Sequence, residues 1–161
     1  MGHGETSNIM PKKLPTKDRL EDLLTYRLHV VKKLTDKVIH DEFLAHTGLS
    51  LPEARVVLCV GAYGQLSVSE LGQKSNLDRS QASRAADGLV RRGLLAKTSS
   101  EIDARGVEIR LTGAGNEVFK RALAVSQQRN AAFLALLAPE QADALMSALE
   151  ILTAALRDSP A

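Results

Sequence analysis

Residues 78–98 read "DRSQASRAADGLVRRGLLAKT". Two periods stand back to back in this stretch. Ala82, Ala85, Ala86, Leu89 and Val90 recur at helical spacing, so a helix starting at Arg79 turns one face inward. That face is mostly alanine, which buries little area but lets the helix approach a neighbour closely. The opposite face opens with Arg79, Ser80, Gln81, Ser83 and Arg84, all in the first two turns. Asp78 is placed to cap the helix, with Gln81 returning a hydrogen bond to it. Arg91 and Arg92 suit the negative end of the helix dipole, and Gly93 suits the left-handed position just past it. Beyond Gly93 the period changes from 3.6 to 2.

Downstream, "LLAKT" leads into a polar tip, "SSEIDARG" at 99–106, and then "VEIRLT" at 107–112. Val107, Ile109 and Leu111 alternate inward against Glu108 and Arg110, which predicts a two-stranded hairpin with a long polar loop. Upstream, "SVSE" at 67–70 pairs Ser67 with Glu70, and "SLPE" at 50–53 pairs Ser50 with Glu53. Both have the capping-box pattern, so short helices start there, one of about two turns reaching Lys74 and one ending near Gly61–Gly64. "SNL" at 75–77 is a turn. A helix–turn–helix followed directly by a hairpin is a winged helix.

The flanks are helical. Leu20, Leu23, Leu24, Leu28, Val31, Leu34, Val38, Ile39 and Phe43 predict one long helix from Lys17 to His46. After Thr112, a candidate cap, two more helices follow, split at Pro139. Their apolar residues include Val118, Leu123, Val125, Phe133, Leu134 and Leu137, then Leu145, Leu149, Leu152 and Leu156. The outer helices carry more apolar face than one small core can cover, which predicts a homodimer built from N- and C-terminal helices. The expected organisation is an N-terminal arm over 1–16, read as flexible, and a single domain over 17–161. Within that domain 17–47 and 116–161 form dimerisation helices and 48–115 the winged helix. The fold class is mainly α with a small β-hairpin wing.

Composition narrows the function. The chain has 161 residues, 44% of them apolar and 3% aromatic, with no Trp, so Leu, Ala and Val must fill the core. The formal net charge is +2, too small for a global basic footprint. The excess is local: residues 74–110 hold 8 Lys/Arg against 5 Asp/Glu, while residues 113–161 hold 4 against 5. One cysteine excludes an intrachain disulfide and a cysteine-rich zinc site. There is no apolar run for a membrane span and no signal-peptide layout, so the expected location is cytoplasmic. His29, His40 and His46 do not cluster on one helical face, and His3 lies in the arm, so no metal or cofactor is expected. Hydrolase, phosphate-loop and zinc-protease motifs are missing, so the chain is not read as an enzyme. "GAG" at 113–115 is a tight strand-to-helix junction.

The outward set of the helix at 79–91 has the chemistry of base reading. Arg pairs bidentately with guanine, Gln with adenine, and Ser with bases or phosphate. In helix–turn–helix proteins this end of the second helix enters the major groove. Arg105 at the wing tip suits the narrow minor groove, with Asp103 holding the loop or the guanidinium. Taken alone, a polar helix face is equally a solvated surface, and Asp103 with Arg105 equally a surface pair.

The runs "GLSLPEARVVLCV", "LSVSELGQKSNLDRSQASRAADGLVRRGLLAK" and "DARGVEIRLTGAG" resemble the MarR family of bacterial transcriptional regulators. The resemblance spans about 48–115. It implies an obligate homodimer on a pseudo-palindromic, double-stranded operator, with recognition by the helix from Arg79 and a wing centred on Asp103 and Arg105. It further implies release by a small, often anionic aromatic effector bound between the DNA-binding and dimerisation regions. Two positions depart from the family pattern. Gly88 stands where a longer, often basic residue is usual, and 98–104 carries no Lys or Arg, which predicts a shallower salt dependence.

Tyr26, His29, Arg55 and Tyr63 are candidates for the effector pocket, with an aromatic acid or its coenzyme A thioester as candidate ligand. Each is equally a packing or surface residue. Cys59, among Val57, Leu58 and Val60, is read as an inert small hydrophobe; a thiol-based redox sensor through Cys59 is the alternative. Another alternative is a helical dimer acting as a protein-interaction module without DNA binding. Such a module would not need Arg, Ser and Gln gathered at a helix N-terminus. The expected function is a ligand-responsive, DNA-binding repressor.

Overall fold

Three helices start where their capping residues stand. The computed structural model describes residues 19–99 and 107–158. Within them α2 is Leu51–Tyr63, α3 is Val68–Ser75 and α4 is Arg79–Arg91. At α2 the Glu53 carboxylate accepts from the Ser50 N–H at 2.9 Å and the Ser50 hydroxyl at 2.8 Å. At α3 the Ser67 N–H donates to Glu70 Oε2 at 2.9 Å, and the Glu70 N–H donates to Ser67 Oγ at 3.2 Å. At α4 the Gln81 N–H donates to Asp78 Oδ1 at 2.7 Å, with a longer return from the Asp78 N–H to Gln81 Oε1 at 3.4 Å. Each arrangement satisfies N–H groups near a helix start that have no helical partner. Between α3 and α4, Asn76 turns the chain in the left-handed region at φ 54°, ψ 38°, which Asn tolerates better than most residues. Past α4 the Leu94 N–H donates to the Leu89 carbonyl and the Gly93 N–H to the Val90 carbonyl, with Gly93 at φ +70°. This is a Schellman ending, and glycine suits its left-handed position.

The chain divides into two units at Thr35/Asp36, inside helix α1, Leu24–Thr47. In the first unit the expected continuous helix from Lys17 is corrected. Leu20–Asp22 form a 3-10 turn, Leu23 is extended, and α1 begins only at Leu24. Arg27 explains the break: its Nε donates to the Glu21 carbonyl at 2.9 Å and its Nη2 to Asp22 at 3.2 Å, fastening that turn to the helix start. Leu20, Leu24, Leu28, Val31 and Leu34 are exposed. Lys17 and the arm over 1–16 lie outside the described residues.

The second unit holds the core. Phe43 from α1, Val56, Val57 and Val60 from α2, Leu71 from α3, Ala82, Ala86 and Leu89 from α4, and Val118 and Ala122 from α5 (Gly113–Leu134) are buried together. The wing strands are β2, Leu95–Ser99, and β3, Val107–Leu111, antiparallel with Leu95 opposite Leu111. The expected two-stranded hairpin is corrected to a three-stranded sheet with β3 in the middle. A two-residue β1, Leu66–Ser67, pairs with β3 through Leu66↔Ile109 and Ser67↔Glu108. That pairing stops before Val107, which is exposed rather than inward, while Ile109 is buried.

At the strand-to-helix junction Thr112 Oγ1 accepts from the Gly115 N–H at 3.0 Å and donates to the Gly93 carbonyl at 2.7 Å. A Cβ on Gly115 would lie 2.0 Å from the Leu94 carbonyl oxygen, so backbone meets backbone here and only glycine fits. Pro139 opens α6, Pro139–Asp158, where its missing N–H costs nothing. No described residue of α6 is buried. No single helix among the described residues is long and apolar enough to cross a membrane.

One carboxylate ties the end of α4 to the start of α2. Glu53 Oε1 accepts from Arg92 Nη1 at 3.2 Å, and Arg92 Nη2 donates to the Gly48 carbonyl at 3.2 Å. Burial pushes the Glu53 carboxyl up, but the Ser50 hydrogen bonds and the Arg92 charge outweigh it, and its pKa sits below the usual glutamate range. A depressed pKa makes this stabilisation complete above the ordinary value of about 4.3 and lost as pH falls through the folded value.

Two outcomes follow. Gly115→Ala should destabilise the fold by about 1–3 kcal/mol, as overpacking does, while Gly113→Ala, with nothing within 4 Å of its Cβ position, should melt near wild type. Thermal unfolding followed by circular dichroism compares them, and equal melting temperatures would remove the close-approach account. Glu53→Gln should flatten the fall in stability as pH drops below about 4.3, where the wild type begins to lose its carboxylate contacts. Urea unfolding across that range reads the slope, and parallel curves would contradict it.

Candidate nucleic-acid interface

Helix α4 separates its faces cleanly. Ala82, Ala85, Ala86 and Leu89 are buried, and Val90 is half-buried. Arg79, Ser80, Gln81 and Arg84 are exposed, and Ser83 is half-buried. Gly72 of α3 lies beside the start of α4: a Cβ there would stand 3.7 Å from the Arg79 Cα, an ordinary contact. Arg84 Nη1 donates to Ser80 Oγ one turn back, which aims the guanidinium toward the helix N-terminus. Gln81 Oε1 accepts the 3.4 Å bond from the Asp78 N–H. That bond is long and weak, and Gln81 must release it to present both amide groups to adenine. Arg79, Arg84 and Arg91 form no ion pair with another described residue.

A groove of about 390 Å³ runs beside this face. Gln81, Arg84, Gly88 and Arg91 line it from α4, with Ser50, Pro52 and Glu53 across it. The sequence reading missed the part played here by Ser50, Pro52 and Arg91. Their spacing on α4 was visible, but the opposite wall comes from a helix thirty residues earlier in the chain and has no local signal.

Asp103 and Arg105, at the wing tip, lie outside the described residues. The wing strands are fastened to α4 by Lys97 Nζ, 2.7 Å from Asp87 Oδ1. The hydrogen bond and charge of Lys97 hold the Asp87 carboxyl below its ordinary range. Gln65, just before β1, donates from Nε2 to Thr98 Oγ1 at 3.2 Å and to Glu108.

The effector candidates are placed as follows. Tyr26 and His29 lie on the first part of α1, both exposed. Arg55, on α2, is engaged: its Nη2 is 2.7 Å from Asp36 Oδ1, and both side chains are largely shielded. Tyr63, at the end of α2, is exposed with Lys74 Nζ 4.2 Å above its ring, a cation–π contact. Cys59 is half-buried against the core; burial pushes its thiol up, and the charge of Lys74 opposes this in part. A raised thiol is a poor nucleophile. His40 Nδ1 accepts from the Leu51 N–H at 3.3 Å, a helix-start contact that its sequence position did not announce. No group of three or more His, Cys, Asp or Glu fit to hold a metal occurs among the described residues.

Known proteins share these features. The sequence profile of the MarR family matches residues 47–106, from the end of α1 to the edge of β3. YfiV of Bacillus subtilis (strain 168), described as an HTH-type transcriptional regulator, is 28% identical over 111 residues, 69% of this chain and 69% of its own. The solved structure of a MarR family transcriptional regulator from Silicibacter pomeroyi DSS-3 superposes with a TM-score of 0.76 at 26% identity, covering 87% of this chain and 99% of that one. The PcaV transcriptional regulator from Streptomyces coelicolor, solved with its natural ligand, superposes at 0.72 with 23% identity, covering 87% and 98%. A helix–turn–helix with its wing strands is thus similar in sequence at its centre, and in fold over most of its length, to transcriptional regulators of the MarR family.

Proposed function

We propose that the protein is a repressor that binds a pseudo-palindromic operator as a homodimer and is released by a small-molecule effector. The observation that carries this is the start of α4. Four hydrogen-bonding side chains stand exposed at one helix end, on a helix whose other face is buried. That layout suits insertion into a major groove, with Arg79 and Arg84 toward guanine and Ser80, Gln81 and Ser83 toward neighbouring bases or phosphates. Asp103 and Arg105 would extend the contact into the minor groove. YfiV, described as an HTH-type transcriptional regulator, supports the DNA reading.

Unpartnered apolar surface supports the dimer. Leu145, Leu149, Leu152 and Leu156 form one stripe on α6, and Leu24, Leu28, Val31 and Leu34 form another at the start of α1. A helix of this length with no buried face is marginal by itself in water. Two copies exchanging these stripes would bury both and set two α4 helices on successive turns of DNA.

The PcaV structure, solved with its natural ligand, supports a ligand-responsive reading. Tyr26, His29, Arg55 and Tyr63 are the proposed effector residues, and an aromatic acid or its coenzyme A thioester the proposed class. A carboxylate reaching Arg55 must compete with Asp36 for the guanidinium. Nearly complete release needs about 10⁴-fold differential affinity between the DNA-competent and incompetent states.

Fluorescence anisotropy with duplexes tiling the DNA upstream of the protein's own coding region tests the operator reading. One duplex should bind with a salt-dependent preference, and Arg84→Ala should cost about 1–3 kcal/mol on it while relaxing preference at one base pair. Equal affinity for all duplexes would defeat the repressor reading. For the dimer, Leu149→Glu with Leu152→Glu should shift the sedimentation coefficient from dimer to monomer. A wild type that sediments as a monomer would refute the assembly.

A further inference from the structure

We propose that the groove beside α4 seats one sugar–phosphate strand of the operator, with Arg91 as its phosphate ligand and Gly88 as the gap through which the strand passes. This rests on the operator-binding reading above and adds to it a backbone contact distinct from the base-reading residues.

The groove is continuous with the base-reading end of the helix. Gln81, Arg84, Gly88 and Arg91 recur at intervals of three and four, so they form one stripe along α4. The stripe begins among the residues proposed to read bases and ends at Arg91, more than two turns further on. A helix lying in the major groove has a phosphate strand along each side, and this side faces an open trough instead of packed protein.

The charge in the trough favours a polyanion. Glu53 is the one acid among its lining residues, and both of its oxygens are held, Oε2 by Ser50 and Oε1 by Arg92. Arg84 and Arg91 line the same trough without an ion pair to any described residue. Asp87, the acid one turn before Arg91, is paired with Lys97, so the charge left over in the trough is positive. Arg91 is exposed and has no hydrogen-bonding partner among the described residues, so its guanidinium is free for bidentate contact with a phosphate.

Gly88 gains a physical account from this placement. A Cβ there would meet only Glu53 Oε1 at 3.6 Å and Arg91 Nη2 at 3.8 Å, both ordinary contacts. The fold therefore leaves room for alanine, the better helix former. Nothing in the packing of the chain itself requires glycine. What its missing side chain preserves is the open floor of the groove, between the two arginines.

The test uses the full chain, the tightest-binding upstream duplex and a scrambled duplex of equal length, with anisotropy measured over a range of salt. Arg91→Ala should make the slope of log K against log salt shallower by about 0.9 and weaken both duplexes by the same factor. Gly88→Leu should melt no lower than wild type, remain the same oligomer by sedimentation, and bind both duplexes about tenfold or more weakly as the strand loses its seat. Arg91 is exposed, so its variant keeps the test decisive if the Gly88 variant folds poorly. An unchanged salt slope for Arg91→Ala, or normal binding by a well-folded Gly88→Leu, overturns the phosphate groove while leaving the operator reading intact. A wild type with no preference for any upstream duplex overturns both.

Discussion

Alanine at 82, 85 and 86 sets how near α4 can lie to α2 and α3, and the interface depends on that distance. With side chains this small the backbone approaches closely, but the apolar area gained per residue is modest. The helix is therefore fixed largely at its ends. Asp78 holds the first turn through the Gln81 N–H, and Leu89 inserts fully into the core. Past the last turn Arg92 reaches Glu53 and the Gly48 carbonyl. Anchoring at both ends leaves the outward face, apart from the capping bond of Gln81, free of structural duty. Its residues can then be chosen for what they recognise instead of what they pack against.

The legible parts of the fold are those whose cause is local. Ser50, Ser67 and Asp78 stand three residues before a group that can answer them, and each does begin a helix. Gly93 takes the left-handed backbone its place after "VRR" suggests. What escaped the sequence depends on partners far along the chain. Strand β1 is two residues long, too short to alternate, and is extended because β3 pairs with it. Arg92 looks like a dipole-matching cation, yet its partner Glu53 is 39 residues earlier. The start of α1 was misplaced for the opposite reason: apolar spacing continues through Leu20 and Leu23 although the helix does not.

The same division runs through the candidate site. Arg79, Ser80, Gln81, Ser83 and Arg84 were legible because five hydrogen-bonding side chains fall within the first two turns of one helix. The groove wall at Ser50 and Pro52 was not, because it arises where α2 passes beside α4. Arg55 was picked for its charge and position, but the sequence did not reveal that Asp36 already answers that charge. "GAG" was correctly read as a tight junction, while its cause, the Leu94 carbonyl beneath Gly115, is a contact across the fold.

The clustering of three helix-start devices between Ser50 and Gln81 also bears on how the molecule reaches this structure. Helices with self-contained start signals form on the microsecond scale or faster, before distant segments have met. The helix–turn–helix is thus assembled largely from contacts between near neighbours in the chain, the kind that speeds folding. The sheet works differently, since Leu66 must wait for Ile109. On a chain emerging from synthesis, the segments of α2, α3 and α4 are complete before β3 exists, so the three-stranded sheet closes onto helices whose start signals are already in place.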